Sequence, residues 1–355
     1  MAYTILNGVR IEALTACVPS YCEDNLESGQ NLFSETELRN VVKATGIRYR
    51  RICRSEKTTA LDLSIKAAEN IFEHTAIKKD EIGAIVFVTF TPDNQMPNNA
   101  TLVQHRMGFG NLIPAFDINL ACSGYVYGLW ISAMMAKNLN KRVLFLDGEK
   151  QSSITSKRDK ATALLMADAG SATLVAPDEV TSDWSFSFET YGEDREALNI
   201  PSGGSRNPVK PEDLEYTVRE DGSFRRNVDI MMNGMDVFKF VVQKVSANIK
   251  NLLKDTGTDD STIDFLALHQ ANEYMLKQVA KRNKIPFEKL PISIGKYGNS
   301  SSATIPVTIC SERSEILREG KRKILLSGFG AGLSIGTAIV ETDSPYCGGV
   351  IEYDE

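Results

Sequence analysis

The sequence has few of the residues that usually build metal sites. It contains three histidines, and its six cysteines show neither CxxC spacing nor a neighbouring histidine cluster, which excludes the common zinc patterns. In a chain of 355 residues, cysteines scattered in this way also argue against a disulfide framework. We therefore expect reduced thiols, no bound metal and no resident cofactor.

The sequence also has fewer basic than acidic residues. Lysine and arginine total 40 against 46 aspartates and glutamates, and a net charge of −6 argues against nucleic acid as the main partner. No apolar run is long enough to span a bilayer, and residues 1–7 lack the basic start of a secretion signal. We therefore expect a cytoplasmic protein with neither a nucleic-acid nor a membrane partner.

What the sequence does have is an internal repeat at an offset of roughly 180 residues. In the first half, an amphipathic helix carrying Leu61, Ile65 and Ile71 precedes the apolar strand 81–88, and in the second half a comparable helix precedes the strand 262–268. Basic residues then open the strands 141–146 and 321–326. Strands that alternate with helices in this way predict an α/β protein made of two similar halves, 1–178 and 179–355.

Cys122 lies where an apolar strand pattern meets a helix that continues from Val126 to Lys137. A helix N-terminus lowers the pKa of a cysteine and offers N–H groups to a developing oxyanion, so this position suits a nucleophile. The simpler interpretation, a small core residue, is the commoner one for a single cysteine.

Two later segments change that balance. His269 ends an apolar strand and is followed by Gln-Ala-Asn, and strand ends of α/β sheets carry ligand sites. Asn299 follows Gly298 and precedes three serines. Taken singly, a lone histidine is more often structural and such an asparagine more often caps a helix.

Together these three segments resemble the β-ketoacyl-acyl carrier protein synthase III family of the thiolase superfamily. The family carries a Cys-Ser/Ala-Gly elbow, a His-Gln-Ala-Asn turn and a Gly-Asn-Thr/Ser-Ser-Ala segment, which match here around Cys122, His269 and Asn299. Further matches are the segments 45–48, 167–172 and 328–332, so the resemblance covers nearly the whole chain. It implies the thiolase fold, five layers in the order α-β-α-β-α, and a homodimer.

The resemblance also implies the chemistry. Cys122 would accept an acyl group from a thioester, and His269 and Asn299 would stabilise the enolate left when a malonyl thioester loses carbon dioxide. Condensation of the two would give a β-ketoacyl thioester. The backbone N–H groups of Cys122 and Ala331 would form the oxyanion hole.

Substrate-binding positions match the family less well. A Trp and an Arg that hold the adenine of coenzyme A correspond to Asn40 and Ala44, a pantetheine-contacting Asn corresponds to Met235, and Lys160 replaces an Arg. Asn272, another donor-binding position, is retained. These differences disfavour the usual mode of coenzyme A binding, and a thioester on an acyl carrier protein would not need the lost contacts.

The resemblance further implies an acyl pocket and a docking helix. Met96, reaching across the dimer interface, and Phe329 would line the acyl pocket, although Met96 could equally be a plain interface residue. On the helix after the histidine turn, Tyr274 replaces an Arg, and the basic residues left to dock an acidic carrier protein are Lys277, Lys281 and Arg282.

The sequence therefore predicts an acyltransferase of fatty acid or related lipid or polyketide biosynthesis that performs a decarboxylative Claisen condensation. The main alternatives are acyl transfer from Cys122 to another nucleophile without decarboxylation, and a noncatalytic subunit that binds a carrier. A hydroxymethylglutaryl coenzyme A synthase-like reaction would need a further base such as Glu149. A papain-like hydrolase would need a direct Cys–His pair.

Overall fold

The computed structural model of the chain describes residues 2–179 and 183–355. Its strands are β1 (Ala2–Leu6), β2 (Val9–Pro19), β3 (Cys22–Asp24), β4 (Tyr49–Arg51), β5 (Ile82–Val88), β6 (Ala115–Ile118), β7 (Arg142–Lys150), β8 (Asp168–Pro177), β9 (Trp184–Thr190), β10 (Leu198–Asn199), β11 (Thr217–Val218), β12 (Phe224–Arg225), β13 (Met231–Met232), β14 (Phe265–Leu268), β15 (Lys321–Gly330), β16 (Ser334–Asp343) and β17 (Tyr346–Tyr353). Its helices are α1 (Asn25–Ser28), α2 (Glu35–Thr45), α3 (Ala60–His74), α4 (Asn99–Arg106), α5 (Gly124–Leu139), α6 (Gly234–Phe240), α7 (Ser246–Thr256), α8 (Glu273–Arg282), α9 (Ile294–Tyr297), α10 (Thr304–Glu312) and α11 (Ser314–Arg318). A π-helical segment, Val241–Val245, joins α6 to α7.

Two mixed sheets form the frame of the molecule. The six-stranded sheet has the order β17-β2-β8-β7-β5-β6, and the five-stranded sheet has the order β1-β9-β16-β15-β14. Helices α5 and α10 contact both sheets, α3 covers the other face of the first sheet, and α7 covers the other face of the second. The predicted α-β-α-β-α layering is therefore confirmed.

Three hydrophobic cores lie between these layers. The central core contains Tyr125 and Leu129 of α5, and the face of β7 that carries Val143 and Phe145. The neighbouring residues Leu144 and Leu146 of β7 belong instead to the core under α3. This alternation follows from the two-residue period of a strand, and burial on both faces explains why the strand patterns read as continuous apolar runs.

The internal repeat appears in the topology of the sheets. In the first sheet β5 is parallel to β7, and α5 precedes β7. In the second sheet β14 is parallel to β15, with α10 between them in the chain. Equivalent strand ends consequently meet at the centre of the molecule, which is where a switch-point site is expected.

The two sheets exchange their terminal strands. The first strand, β1, pairs with β9 in the second sheet, and the last strand, β17, pairs with β2 in the first. The predicted boundary between 1–178 and 179–355 falls in the connection from β8 to β9, of which 180–182 lie outside the described residues. That boundary stays a prediction.

Within residues 2–179 and 183–355, no helix combines the length and the apolar character needed to pass through a bilayer.

Candidate active site

Cys122 lies in the turn between β6 and α5, immediately before the first residues of the helix. Its side chain is buried yet lines a cavity of about 490 Å³. Burial raises the pKa of the Cys122 thiol to about 12, and the carboxyl groups of Glu149 and Asp147 act in the same direction. The sequence predicts a lowered pKa from the helix N-terminus, and in the folded chain desolvation outweighs that effect, so the resting thiol is neutral.

The hydroxyl of Ser301 donates a hydrogen bond to Cys122 Sγ at 3.5 Å and opposes this rise. Ser301 is the side chain that bonds to the sulfur. Among the described residues, no hydrogen bond joins Cys122 to His269. The arrangement therefore lacks the direct Cys–His pair that a papain-like hydrolase requires.

His269 follows β14 and is held at one ring nitrogen. Its Nδ1 lies 3.0 Å from the carbonyl oxygen of Ser301 and 2.8 Å from Thr304 Oγ1. Because a carbonyl oxygen can only accept, we assign the proton to Nδ1 and leave Nε2 as an acceptor. Burial lowers the pKa of His269 to about 4, so the ring is neutral at pH 7.

Asn299 is fixed from both halves of the chain. Its backbone N–H donates to Leu165 O at 2.9 Å, and its carbonyl accepts from Ala167 N at 2.8 Å and from Gln151 Nε2 at 2.6 Å. Its side-chain Oδ1 accepts from Ser301 N at 2.9 Å. With the acceptor end of the amide occupied, the Nδ2 donor is the end left for a ligand in the cavity.

Gly298 makes this placement of Asn299 possible. Its φ is +75°, a region that glycine adopts without strain, and a Cβ there would lie 2.8 Å from side-chain atoms of Arg50 and Ala167. The glycine before the asparagine is thus required by space as well as by backbone conformation.

The turn after β15 passes directly over the cysteine. A Cβ on Gly330 would lie 2.6 Å from Cys122 Cβ and 2.9 Å from Cys122 Sγ, so this position has room for glycine alone. Ala331 follows and lines the cavity together with Cys122. This close approach is what an oxyanion hole built from the N–H groups of Cys122 and Ala331 would need.

The cavity is apolar apart from a few amide, thiol and imidazole groups. Among the described residues that line it, none is Asp, Glu, Lys or Arg. Phe329 lies in its wall and packs edge-on against His269 with ring centroids 5.3 Å apart. Asn272 also lines the cavity, and its side chain accepts from Met275 N at 2.8 Å to cap α8.

Several lining residues were not predicted from the sequence. Gln151, which follows β7, bonds to Asn299, and the strand-end rule that indicated His269 would also have indicated it. Most of the others come from the loop after β5 and from segments within 198–241, whose sequence gives no local signal. They include Phe90, Leu198, Ile200, Ile230, Met232, Val237, Phe240 and Val241.

Two predicted substrate-binding residues lie outside the cavity lining. Met96 is 87% exposed on the surface of the chain. Lys160 is exposed, and its Nζ lies 5.8 Å from the centre of the Phe33 ring. The single chain therefore brings together Cys122, His269 and Asn299, and it leaves Met96 and Lys160 apart from them.

The predicted docking residues are on the outer surface of α8. Lys277, Lys281 and Arg282 are all exposed, and Lys277 is paired with Glu273 one turn earlier. Tyr274 on the same helix is 53% exposed and stacks on Phe238.

Glu149 does not line the cavity. Its carboxylate accepts from the hydroxyls of Thr89 and Thr91 and from Phe90 N, and burial raises its pKa well above the usual range. It supports the loop that carries Phe90 and is not placed as a base toward the ligand. No cluster of three potential metal ligands occurs in the part of the chain that the structure describes.

Comparison with known proteins agrees with this geometry. Residues 116–192 match the family "3-Oxoacyl-[acyl-carrier-protein (ACP)] synthase III", and residues 253–342 match its C-terminal family. The β-ketoacyl-[acyl-carrier-protein] synthase III of Clostridioides difficile is 34% identical over 84% of this chain and 88% of its own length. The namesake from Koribacter versatilis is 30% identical over 95% and 98% of the two chains.

Solved structures show the same likeness. A crystal structure of a 3-oxoacyl-(acyl-carrier protein) synthase from Burkholderia xenovorans superimposes with a TM-score of 0.92 at 32% identity and covers 99% of both chains. Likeness of this extent in sequence and fold leads to one conclusion: the chain is an enzyme of the β-ketoacyl-[acyl-carrier-protein] synthase III family.

Proposed function

We propose that this chain performs the decarboxylative condensation of its family with Cys122, His269 and Asn299 as the catalytic residues. The observation that carries the assignment is that all three side chains line one cavity, although they come from three distant segments. Acyl transfer and carbon–carbon bond formation, the two halves of the reaction, can then take place in the same cavity.

In the first half, Cys122 Sγ attacks the carbonyl carbon of an acyl thioester. The carbon–sulfur bond to the donor breaks, the donor leaves as a thiol carrying the proton from Cys122, and an acyl-Cys122 thioester remains. The oxyanion of the tetrahedral intermediate would be held by the N–H groups of Cys122 and Ala331. The close approach of Gly330 to the cysteine supports this arrangement.

In the second half, a malonyl thioester loses carbon dioxide and becomes an enolate. Asn299 Nδ2 is the donor available to the enolate oxygen, because Asn299 Oδ1 is already bonded to Ser301 N. His269 can assist once Nε2 has taken up a proton, which the negative charge of the malonyl carboxylate favours.

The proton balance agrees with this role of His269. The enolate carbon attacks the acyl-Cys122 carbonyl, and the Cys122 thiolate leaves. Overall the condensation consumes one proton. The His269 imidazolium can supply that proton to the thiolate and return to the neutral form of the resting site.

We further propose that the substrate thioesters are carried by an acidic carrier protein. Three observations support this. The described residues that line the cavity include no charged side chain, Asn40 and Ala44 stand where the family resemblance places the adenine contacts, and the basic residues Lys281 and Arg282 on α8 are exposed. A phosphopantetheine arm needs an apolar channel and few ionic contacts, whereas the nucleotide of coenzyme A brings several phosphates.

We also propose a homodimer that acts in the cytoplasm. The exposed Met96 and the nearly fully exposed Leu112 are large apolar side chains that an interface between two copies would cover. A partner's Met96 could then approach the acyl pocket, as the family resemblance implies.

Intact-mass spectrometry with acyl thioesters tests the nucleophile. The parent protein should gain the acyl mass, Cys122→Ala should not, and Cys22→Ala, which removes an exposed thiol, should behave as the parent does. An adduct that persists in Cys122→Ala would refute the assignment.

Release of carbon dioxide from a malonyl thioester tests the second half. His269→Ala and Asn299→Ala should slow it by about 10²-fold or more, the range typical of acid–base and oxyanion groups. His105→Ala on α4 is the control and should have no effect. Normal acylation without any carbon dioxide release by the parent would instead favour acyl transfer to another nucleophile.

A further inference from the structure

Ser301 contacts all three catalytic residues, although it does not line the cavity. Its hydroxyl donates to Cys122 Sγ at 3.5 Å, its N–H donates to Asn299 Oδ1 at 2.9 Å, and its carbonyl oxygen lies 3.0 Å from His269 Nδ1. The residue is completely buried. The hydroxyl, the N–H and the carbonyl group of this one residue thus connect Cys122, Asn299 and His269.

These three contacts depend on an unusual backbone conformation. Ser301 has φ +58°, a left-handed conformation that costs a residue other than glycine about 1 kcal/mol or more. Strain of this kind persists when neighbouring contacts enforce it, and such residues cluster at functional sites.

The next residue supplies such a contact. Ser302 Oγ donates to Asp147 Oδ1 at 2.5 Å, and both side chains are fully buried beside the central layer. The other oxygen of Asp147 has no hydrogen-bond partner among the described residues. A buried carboxyl group usually has hydrogen-bond partners at both oxygens. Asp147 has one partner, Ser302, which directly follows Ser301, and packing alone does not explain this choice.

We propose that Ser301 is a positioning residue that aligns Cys122, His269 and Asn299 and promotes formation of the Cys122 thiolate, and that the Ser302–Asp147 pair anchors its turn. The inference rests on the proposed function, since it takes those three residues as catalytic. Ser301 would act on the sulfur without touching the substrate, because it does not line the cavity.

The hydroxyl of Ser301 donates a hydrogen bond to the neutral thiol, and this bond becomes charge-assisted when Cys122 ionises. Such a bond strengthens when the thiol becomes a thiolate, so it lowers the pKa of Cys122 against the effect of burial. The other ionisable groups around the sulfur are Glu149 and Asp147 from β7 and His269 from the end of β14. Neither carboxyl favours the thiolate, whereas the Ser301 hydroxyl and a backbone hydrogen bond at Cys122 both do; of these two, Ser301 is the side chain that a substitution can remove.

The rate of Cys122 alkylation by iodoacetamide, followed by peptide mass spectrometry between pH 7 and 10, tests this role without any substrate. Ser301→Ala should raise the apparent pKa by about one unit, which makes alkylation about tenfold slower throughout this range. Ser300→Ala is the matched control, because Ser300 Oγ is also buried but has no hydrogen-bond partner. The exposed Cys22 serves as an internal standard in every sample.

Equal alkylation rates for Ser301→Ala and the parent would overturn the proposal. This result is separate from failure of the proposed function, which would appear as acylation that survives Cys122→Ala. Thermal melting of each variant shows that it is folded.

The anchor is tested by two replacements of similar size. Asp147→Asn keeps an oxygen for Ser302 and should retain kcat, whereas Asp147→Leu removes the acceptor and should lower kcat about tenfold with KM unchanged. If the two variants have the same kcat, the Ser302–Asp147 pair does not position Ser301.

Discussion

Gly330→Ala is the substitution that most directly probes the geometry above Cys122, the proposed nucleophile. Gly330 ends β15 with φ 168°, an extended conformation open to any residue, so the change adds a methyl group without backbone strain. That methyl would lie 2.6 Å from Cys122 Cβ, 2.9 Å from Cys122 Sγ and 3.5 Å from Cys122 N. All three atoms belong to Cys122, the proposed nucleophile, and the last of them is its proposed oxyanion donor.

The size of the effect follows from these distances. Relieving the two shortest contacts moves Cys122 or β15, and overpacking of this kind costs about 1–3 kcal/mol of stability. The methyl also occupies the space beside Cys122 N, and loss of one oxyanion donor lowers kcat by about 10²–10³-fold. We therefore expect acylation to slow by at least about 10²-fold, with a loss of stability too small to unfold a chain of this size.

Acyl-adduct formation under single-turnover conditions, followed by intact mass, measures the acylation rate directly. Gly192→Ala is the control, since a Cβ at that exposed position would meet no atom within 4 Å. An acylation rate for Gly330→Ala within about threefold of the parent, in a protein with an unchanged melting temperature, would refute the steric reasoning.

Two further predictions concern pH and two concern the ligands. Burial lowers the pKa of His269 from 6.5 to about 4, so between pH 6.5 and 4 the unfolded chain binds a proton at His269 that the folded chain does not. The free energy of unfolding should therefore drop by up to about 1.4 kcal/mol per pH unit in this range, and urea denaturation of His269→Gln should show a correspondingly weaker pH dependence. For Asp147 the pH dependence of stability is opposite, because burial raises its pKa to about 8 and the folded chain keeps a proton that the unfolded chain loses near pH 4. The stability that Asp147 contributes is therefore lost as pH rises from about 4 to 8, and Asp147→Asn should melt at a higher temperature than the parent at pH 9 but not at pH 4. Asn299→Asp would place an acceptor where the enolate needs a donor, so carbon dioxide release should fall by about 10²-fold while Cys122 acylation changes little. Lys281→Glu combined with Arg282→Glu should raise KM for carrier-bound malonyl thioester and leave KM for a small malonyl thioester unchanged; equal effects on both would exclude docking at α8.

Much of the fold could be predicted because each element carries its own signal. Helix α5 and strand β7 follow Cys122 in the structure where the apolar patterns predict them, and α10 and β15 follow Asn299 in the same order. The exchange of β1 and β17 between the sheets could not be predicted in this way. Strand pairings over such long separations depend on the packed layers and leave no local pattern in the sequence.

The same distinction applies to the site. Cys122, His269 and Asn299 stand in short motifs that the sequence displays directly. The role of Ser301 depends on a φ of +58° and on contacts made by its backbone, neither of which a sequence pattern specifies. The protonation states were equally hidden, because the high pKa of Cys122 and the low pKa of His269 both result from burial and only the folded chain determines burial.

These protonation states favour one order of events. The thiol and the imidazole are neutral, and the described part of the cavity wall holds no Asp, Glu, Lys or Arg, so none of these groups attracts a malonyl carboxylate to the resting site. A neutral acyl thioester meets no such barrier, so Cys122 should be acylated first. When the malonyl group then enters, its carboxylate loses solvation, and decarboxylation moves the charge onto an oxygen that Asn299 and a newly protonated His269 can hold. The apolar wall thus disfavours the charged ground state, and the donors favour the enolate that replaces it.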